Sequence, residues 1–119
     1  MDDLKLYESE YRFMDIIWEK EPIRSMDLAG EAFQRLGWKK STSYTVLKKL
    51  ADRGFVKNEN AVVRALVTRE QVQRYESEEL LKKNFHNSLP AFLTSFLRDR
   101  RLSKEEAEEI MEMIKEASE

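Results

Sequence analysis

The 119-residue sequence lacks cysteine and contains only one histidine, three glycines and two prolines. Without cysteine there can be no disulfides, thiolate nucleophiles or sulfur-ligated metals, and the composition suits a reducing compartment. Few glycines and prolines argue against many strands joined by tight turns. No apolar run approaches the ~20 residues of a membrane span, and the acidic start MDDLKLYESE does not resemble a signal peptide. We expect a cytoplasmic protein that does not insert into a membrane.

Motifs for catalysis or metal binding are also missing. The sequence contains no glycine-rich phosphate loop and no nucleophile–base pair. His86 has no cysteine partner, so we interpret it as a surface or hinge residue. The carboxylates of residues 105–112 share a predicted helix with an apolar face, which is typical of solvated surface. We therefore expect no catalytic residue, no metal, no cofactor and no enzymatic activity.

Charge is abundant but unevenly distributed. Charged residues make up 37% of the chain, with a net charge of −2 at pH 7. Residues 39–57 nevertheless carry six cations against one carboxylate, a net charge of +5. Residues 68–119 carry nine cations against twelve carboxylates, a net charge of −3. Because exposed charges are screened beyond ~10 Å, local charge decides where a polyanion approaches, and residues 39–57 are the candidate surface.

Apolar spacing and turn signals predict a mainly α-helical chain with one small β-hairpin. Helices are expected at 9–21, at 25–37 with Ser25 as N-cap, and from about 39 to Arg53, where Gly54 suits a left-handed stop. The β-branched segment FVKNENAVVRALVT then predicts a hairpin. Three helices followed by a hairpin form a winged helix-turn-helix, which we assign to residues 1–68.

The third helix has two chemically different sides. Val46, Leu47 and Leu50 recur at the spacing of a buried face, and most other positions carry hydroxyls or lysines. Such groups donate to phosphates and base edges in the major groove. With contributions from the second helix and the wing, the expected DNA contacts are Ser25, Lys39, Lys40, Ser41, Thr42, Tyr44, Thr45, Lys48, Lys49, Arg53 and Arg64. Two alternatives stay open: Tyr44 packs on a neighbouring side chain, and the winged helix binds protein without contacting DNA.

Residues 69–119 predict three further amphipathic helices, at 69–85, 88–101 and 103–117, with Pro90 in a first turn and Ser103 to Glu106 as a capping box. About 50 residues cannot easily bury all of these apolar stripes alone, which favours a dimerisation domain. An internal three-helix core is the alternative. The expected dimer contacts are Val72, Tyr75, Leu81, Leu89, Phe92, Leu93, Phe96, Leu97, Ile110, Met111 and Ile114.

Three motifs resemble the penicillinase-repressor family of the BlaI/MecI/CopY type. EYRFMDIIWEKEP is similar to its opening E-W-x-V-M-x-x-x-W-x-x-x-P, and WKKSTSYTVLKKLADRGFV to its W-x-x-x-T-x-x-T-x-x-x-R-L-x-x-K-G-x-[IVL]. NSLPAFLTSFL and LSKEEAEEI resemble the C-terminal G-S-L-x-x-x-x-x-F and L-S-x-x-E-x-x-E-L. The resemblance covers nearly the whole chain. It implies a transcriptional repressor that binds a palindromic operator in double-stranded DNA as a homodimer with interlocked C-terminal helices.

This sequence departs from the family pattern at several positions. Lys39 and Lys40 replace a frequent Ser-Pro, so we expect Ser41 to cap a helix that begins slightly later. Lys49 replaces an arginine, which keeps the charge but loses the bidentate fork. The resemblance also raises regulatory cleavage by a membrane-bound sensor protease at an Asn-Phe bond, for which this chain has Ser95 and Phe96. The cysteine cluster of copper-responsive members is absent.

Overall fold

The computed structural model describes residues 3–118, in which six helices and three short strands follow one another along the chain. The chain divides into two compact units after Glu79. In order, the elements are α1 (Glu8–Lys20), β1 (Ile23–Arg24), α2 (Ser25–Leu36), α3 (Lys40–Asp52), β2 (Val56–Glu59), β3 (Val62–Ala65), α4 (Arg69–Phe85), α5 (Leu89–Leu97) and α6 (Lys104–Ala117). The division falls within α4, whereas the predicted functional boundary lies just before it. Assignment of DNA binding to 1–68 and dimerisation to 69–119 stays a prediction.

The first unit is a trihelical core closed by a small sheet. The centre of the apolar face of α1 is covered, with Phe13, Met14 and Ile17 each 0% exposed, whereas Tyr11 and Trp18 are partly buried. α3 contributes Leu47 and Leu50 to the same core, at 2% and 0% exposure. The complete buried cluster is Leu6, Phe13, Met14, Ile16, Ile17, Ile23, Leu28, Ala32, Leu47, Leu50, Phe55, Val56, Val63 and Val72. Burial of these side chains, at ~25 cal/mol per Å² of apolar surface, is the main stabilising term of the unit.

Both tryptophans fix the ends of this core. The Trp18 indole Nε1 donates to the Val67 carbonyl oxygen at 2.8 Å, which ties α1 to the chain that leaves the sheet. The Trp38 ring stacks on Phe13 with centroids 5.1 Å apart, just before α3 begins. Each indole therefore joins a helix to a connecting segment, and the Trp18 N–H has the partner that a half-buried indole needs.

The sheet contains one strand that the sequence did not predict. Its order is β1-β3-β2 and both pairings are antiparallel. The predicted hairpin is β2 and β3, joined through Asn60 and Ala61, whose φ angles are 56° and 61°. Two consecutive positive φ values match the strand twist in a two-residue hairpin loop. The extra strand, Ile23–Arg24, is too short to show alternation in the sequence.

Two predicted helix caps are wrong. The N-cap of α2 is Arg24, with no side-chain hydrogen bond, and Ser25 is the first helical residue. The Ser25 amide donates to the Ala61 carbonyl at 2.9 Å, so the neighbouring hairpin loop takes the place of a capping side chain. The N-cap of α3 is Lys39, which places Ser41 inside the first turn instead of before it.

The later helices begin with side-chain caps, of which the sequence predicted the one at Ser103. Thr68 and Gln71 form a reciprocal capping box at the start of α4. The Gln71 backbone N–H donates to the Thr68 hydroxyl at 3.1 Å, and the Thr68 backbone N–H donates to the Gln71 side-chain Oε1 at 2.8 Å. Ser88 caps α5, which carries Pro90 in its first turn. The Ser103 hydroxyl accepts from the Glu106 amide at 3.0 Å at the start of α6. Neither α5 nor α6 contains a buried residue among those described.

We predict that Ser43→Ala stabilises the first unit. Ser43 lies on the inner face of α3 at 2% exposure, and its Oγ has no hydrogen-bond partner among the described residues. Removing a buried hydroxyl without a partner and adding a better helix former should raise the free energy of unfolding by about 1 kcal/mol. Urea unfolding followed by tryptophan fluorescence measures this, because both tryptophans lie in the first unit.

The matched control is Ser41→Ala on the exposed side of the same helix, which should change stability by less than about 0.5 kcal/mol. A loss of stability in Ser43→Ala would mean that the hydroxyl has a bonding partner, such as a bound water, and would contradict the prediction.

Candidate nucleic-acid interface

α3 presents a continuous polar surface opposite its buried face. Ser41, Thr42, Thr45, Lys48 and Lys49 are all exposed, whereas the apolar side is docked on the core. The predicted two-sided character of α3 is therefore observed. Hydroxyls offer donors and acceptors, and lysines offer charge, so this surface has the chemistry to contact both phosphates and base edges.

Tyr44 belongs to the boundary between these two sides. Its ring is partly buried and packs against the hydrophobic core. This position favours the packing alternative stated for Tyr44 over a role as a free aromatic contact. We therefore leave it out of the proposed contact surface.

The three cations towards the end of α3 have partners within the chain. Lys48 Nζ lies 3.2 Å from the Asp52 carboxylate, one helical turn away. Lys49 Nζ lies 4.0 Å from Glu10 Oε2. The exposed Lys48–Asp52 pair contributes little and separates easily. Glu10 is buried, but Lys49 is itself 63% exposed and its distance to Glu10 is long, so its ammonium group also remains accessible to a polyanion.

Arg53 differs from these lysines because several groups hold its guanidinium. Nη2 donates to the carbonyl oxygen of Lys5 at 2.6 Å and lies 3.4 Å from that of Asp3. The group also sits over the Phe55 ring at 4.7 Å and only 30% of the side chain is exposed. Arg53 thus fastens the N-terminal segment to the end of α3, and its role as a phosphate contact stays a prediction.

Glu10 is a residue that the sequence analysis did not identify as important to this surface. It is 4% exposed, accepts from the Tyr7 amide at 2.9 Å, and lies 3.7 Å from the Arg53 guanidinium. Its signal in the sequence is a carboxylate at the spacing of an apolar stripe, four residues before Met14 and seven before Ile17. A buried carboxylate there orients the cations at the end of α3.

The cations at the start of α3 are not engaged in this way. Lys39 and Lys40 are exposed and form no ion pair with any residue between 3 and 118. No acidic residue occupies the first turn of α3. The partial positive charge of a helix N-terminus adds to theirs, which makes this end the most favourable position for a phosphate.

The wing adds a second basic position. Lys57 and Arg64 are directly opposite each other across β2 and β3, and both are exposed. Lys57 Nζ lies 3.6 Å from Glu59, whereas Arg64 has no ion pair within the described chain. Like charges facing each other across strands are unfavourable, and an approaching phosphate relieves the repulsion. Ser25 does not join this surface, because it is 7% exposed and its amide is bonded within the protein.

The predicted dimer contacts divide between the two units. Val72 is 0% exposed in the core of the first unit, and the Tyr75 hydroxyl donates to Asp3 Oδ1 at 3.0 Å. Burial of Val72 within one chain corrects its assignment to a dimer interface. Tyr75 is only partly buried, and its assignment stays a prediction. The rest belong to the second unit. Leu81, Phe92, Leu93 and Ile110 are partly buried there, and Leu89, Phe96, Leu97, Met111 and Ile114 are exposed.

Aromatic contacts give the second unit its local order. The Phe92 ring meets Phe85 edge-on at 5.4 Å and stacks on Phe96 at 5.5 Å. The Arg100 guanidinium lies over the outer side of Phe96 at 4.2 Å. Ser95 and Phe96, the positions considered for regulatory cleavage, both lie inside α5.

The described residues contain no group of three histidine, cysteine, aspartate or glutamate side chains that could hold a metal ion. Over the same residues, no helix is long and apolar enough to cross a membrane.

Comparison with known proteins identifies the class and then the family. A solved structure of the multiple antibiotic-resistance repressor MarR from Listeria monocytogenes 4b F2365 is similar, with a TM-score of 0.50 and 18% identity over 95% of this chain and 73% of that chain. The fold is thus a winged helix-turn-helix. The sequence model of the penicillinase repressor family matches residues 6–116. The chain belongs to that family, whose members are DNA-binding transcriptional repressors.

Individual relatives match over almost their full length. The methicillin resistance regulatory protein MecI of Staphylococcus aureus strain Mu50 / ATCC 700699 is 25% identical over 119 residues, covering 94% of this chain and 97% of that protein. MecI of Mammaliicoccus sciuri is 24% identical over the same shares. The family resemblance noted from three motifs is confirmed.

We predict that replacing Lys39 and Lys40 together by alanine weakens binding to all duplexes alike. Each lost phosphate contact should reduce the slope of log affinity against log salt by about 0.9, so the double variant should lose about 1.8 for each bound chain, or about 3.6 for a dimer on two half-sites. Fluorescence anisotropy across a salt series measures the slope. Lys104→Ala with Lys115→Ala, the same charge change on exposed positions of α6, is the control and should leave it unchanged. An unaltered slope in the α3 variant would assign these lysines to mere solvated surface.

Thr45 provides a separate prediction about sequence preference. Its exposed hydroxyl lies one turn past the first lysines of α3. Thr45→Val keeps the shape but removes the donor, so we expect changed discrimination at one or two base pairs, each by about 1–3 kcal/mol. Selection from a randomised duplex pool compares parent and variant. Identical selected sequences would place Thr45 away from the bases.

Proposed function

We propose that this protein represses transcription as a homodimer that binds a palindromic operator. α3 would enter the major groove, with Ser41, Thr42 and Thr45 towards the bases and Lys39, Lys40, Lys48 and Lys49 towards phosphates. Arg64 would add a backbone contact from the wing. The observation that carries this proposal is the exposed face of α3, on which hydroxyls and weakly held lysines stand opposite an apolar side. On that side Leu47 and Leu50 are buried and Val46 is partly buried.

The dimer is supported by the apolar surface of the second unit. Met111 and Ile114 are 59% and 52% exposed, and Leu89 is 53% exposed. Side chains of this kind repeat along α5 and α6, which have no buried residue among those described. A contiguous exposed apolar face marks an interaction site, and a second copy of the chain covers it symmetrically. A two-fold dimer in turn requires two half-sites about one helical turn apart.

The operator proposal is tested by recovering genomic fragments on the immobilised protein and sequencing them. We expect inverted half-sites with centres about 10 base pairs apart or a multiple of that, and affinity that falls steeply with salt. The alternative is a winged-helix module that binds protein only. It would retain no duplex above background, or would bind with a flat salt dependence.

The dimer proposal is tested by placing charge on the exposed apolar face. Met111→Asp with Ile114→Asp should give a monomer in analytical ultracentrifugation while the first unit keeps its unfolding transition, because neither side chain is buried in the single chain. Met26→Asp is the matched control: its side chain is 66% exposed on α2, outside the proposed interface, so the dimer should persist. A dimer that survives the α6 substitutions would reject this interface.

Relief of repression by cleavage at Ser95–Phe96, through a membrane-bound sensor protease, is a further part of the proposal. Both residues lie in α5, a helix of nine residues with no buried side chain. Proteases cut segments that open locally, and a short, poorly buried helix opens at low cost. Cleavage would separate α6 from the rest of the chain and remove half of the proposed dimer face.

A further inference from the structure

A groove in the first unit is lined by residues that do not belong to the proposed DNA surface. It has a volume of about 560 Å³ and is lined by Leu4, Gly54, Leu66, Val67, Gln71, Arg74, Tyr75 and Glu78. This volume is within the range of about 300–1,000 Å³ that small-molecule sites occupy. Leu66, which lines the groove, is 57% exposed, which is unusual for an aliphatic side chain just before a helix. The groove therefore combines an apolar floor with a polar wall supplied by α4.

The polar wall presents hydrogen-bond donors at Gln71 and Arg74, beside the carboxylate of Glu78. The Gln71 Oε1 already accepts from the Thr68 backbone N–H at 2.8 Å, which leaves the side-chain Nε2 of Gln71 as the available donor. Arg74 Nε donates to Glu78 at a long 3.4 Å, in a pair whose side chains are 81% and 58% exposed. Such an exposed pair is weak, and the two terminal nitrogens of Arg74 remain for a bidentate acceptor. Donors over an apolar floor fit a ligand with an anionic head and an apolar body.

We propose that this groove binds a small amphipathic carboxylate, with the carboxylate on Arg74 and Gln71 and an apolar or aromatic body on Leu4, Leu66 and Val67. The Tyr75 ring, which also lines the groove, would contact one side of the ligand's apolar body. Nothing in the proposed DNA contacts or the dimer face uses these groups, so the groove is a separate site of the protein.

Leu4 connects the groove to the recognition helix. Its two neighbours, Asp3 and Lys5, present the carbonyl oxygens that the Arg53 guanidinium approaches at 3.4 and 2.6 Å. The Asp3 side chain accepts from the Tyr75 hydroxyl at 3.0 Å, and the Leu6 amide lies 3.4 Å from Glu76. Residues 3–6 thus strap the end of α3 to α4. A ligand that displaces Leu4 would weaken the contacts between residues 3–6 and Arg53, and so would loosen the end of α3. The resulting change in DNA affinity rests on the proposed function.

The binding part is tested with 2-naphthoate on the full chain, followed by amide NMR signals. We expect shifts at Leu4, Leu66, Val67 and Gln71, and binding about tenfold weaker for the neutral 2-naphthamide and for Arg74→Gln. Arg12→Gln, which also removes an arginine from an exposed pair one turn apart, is the control and should bind as the parent does. Absence of binding, shifts confined to other residues, or equal affinity in both variants would overturn the site. A second chain that covers the groove in the dimer would give the first of these results.

The coupling is tested separately, by duplex binding with and without 2-naphthoate. We expect the probe to lower duplex affinity several-fold in the parent and not in Arg74→Gln. Duplex binding unaffected by a probe that does occupy the groove would reject the coupling. A protein that binds no duplex at all would overturn the proposed function, and the NMR titration would still decide the groove.

Discussion

The docking of α3 through Leu47 and Leu50 is the contact on which the rest of the first unit depends. Both side chains are almost completely buried against a core that α1 dominates. Fixing that face determines the rotation of the helix about its own axis, because side chains one turn apart lie in one row. The hydroxyls and lysines on the other side must then face outwards. The proposed DNA-facing surface is in this sense a consequence of core packing, not an independent feature.

Rotation alone does not fix the position of the helix along its axis, and a second set of contacts does so. The end of α3 is held by Arg53, which reaches backbone carbonyls of the N-terminal segment, and by the buried Glu10 beneath it. The opposite end is held by Trp38 stacked on Phe13. Recognition requires that side chains be placed within a fraction of an ångström, and these contacts at both ends provide that rigidity without using the exposed face.

What the sequence could predict follows from the range of the interactions involved. The faces of α1 and α3, the Gly54 stop and the Ser103 cap are local patterns, and all of them are observed. The start of α2 depends on a hydrogen bond from Ser25 to Ala61, and Arg53 meets a residue 48 positions earlier in the chain. No local pattern contains such partners. Val72 shows the same limit. The apolar spacing along its helix predicted that Val72 is buried, but it could not tell which unit would bury it.

The absence of buried side chains from α5 and α6 has a consequence for how the protein responds to its own concentration. A segment whose apolar residues become covered only on association gains stability by mass action, so its ordered fraction depends on chain concentration. In the proposed dimer, pairing would stabilise the C-terminal helices, and the dimer would accumulate as the square of the free chain concentration. At low expression most chains would be monomers with a folded winged helix. Occupancy of the operator would then rise over a narrow range of expression.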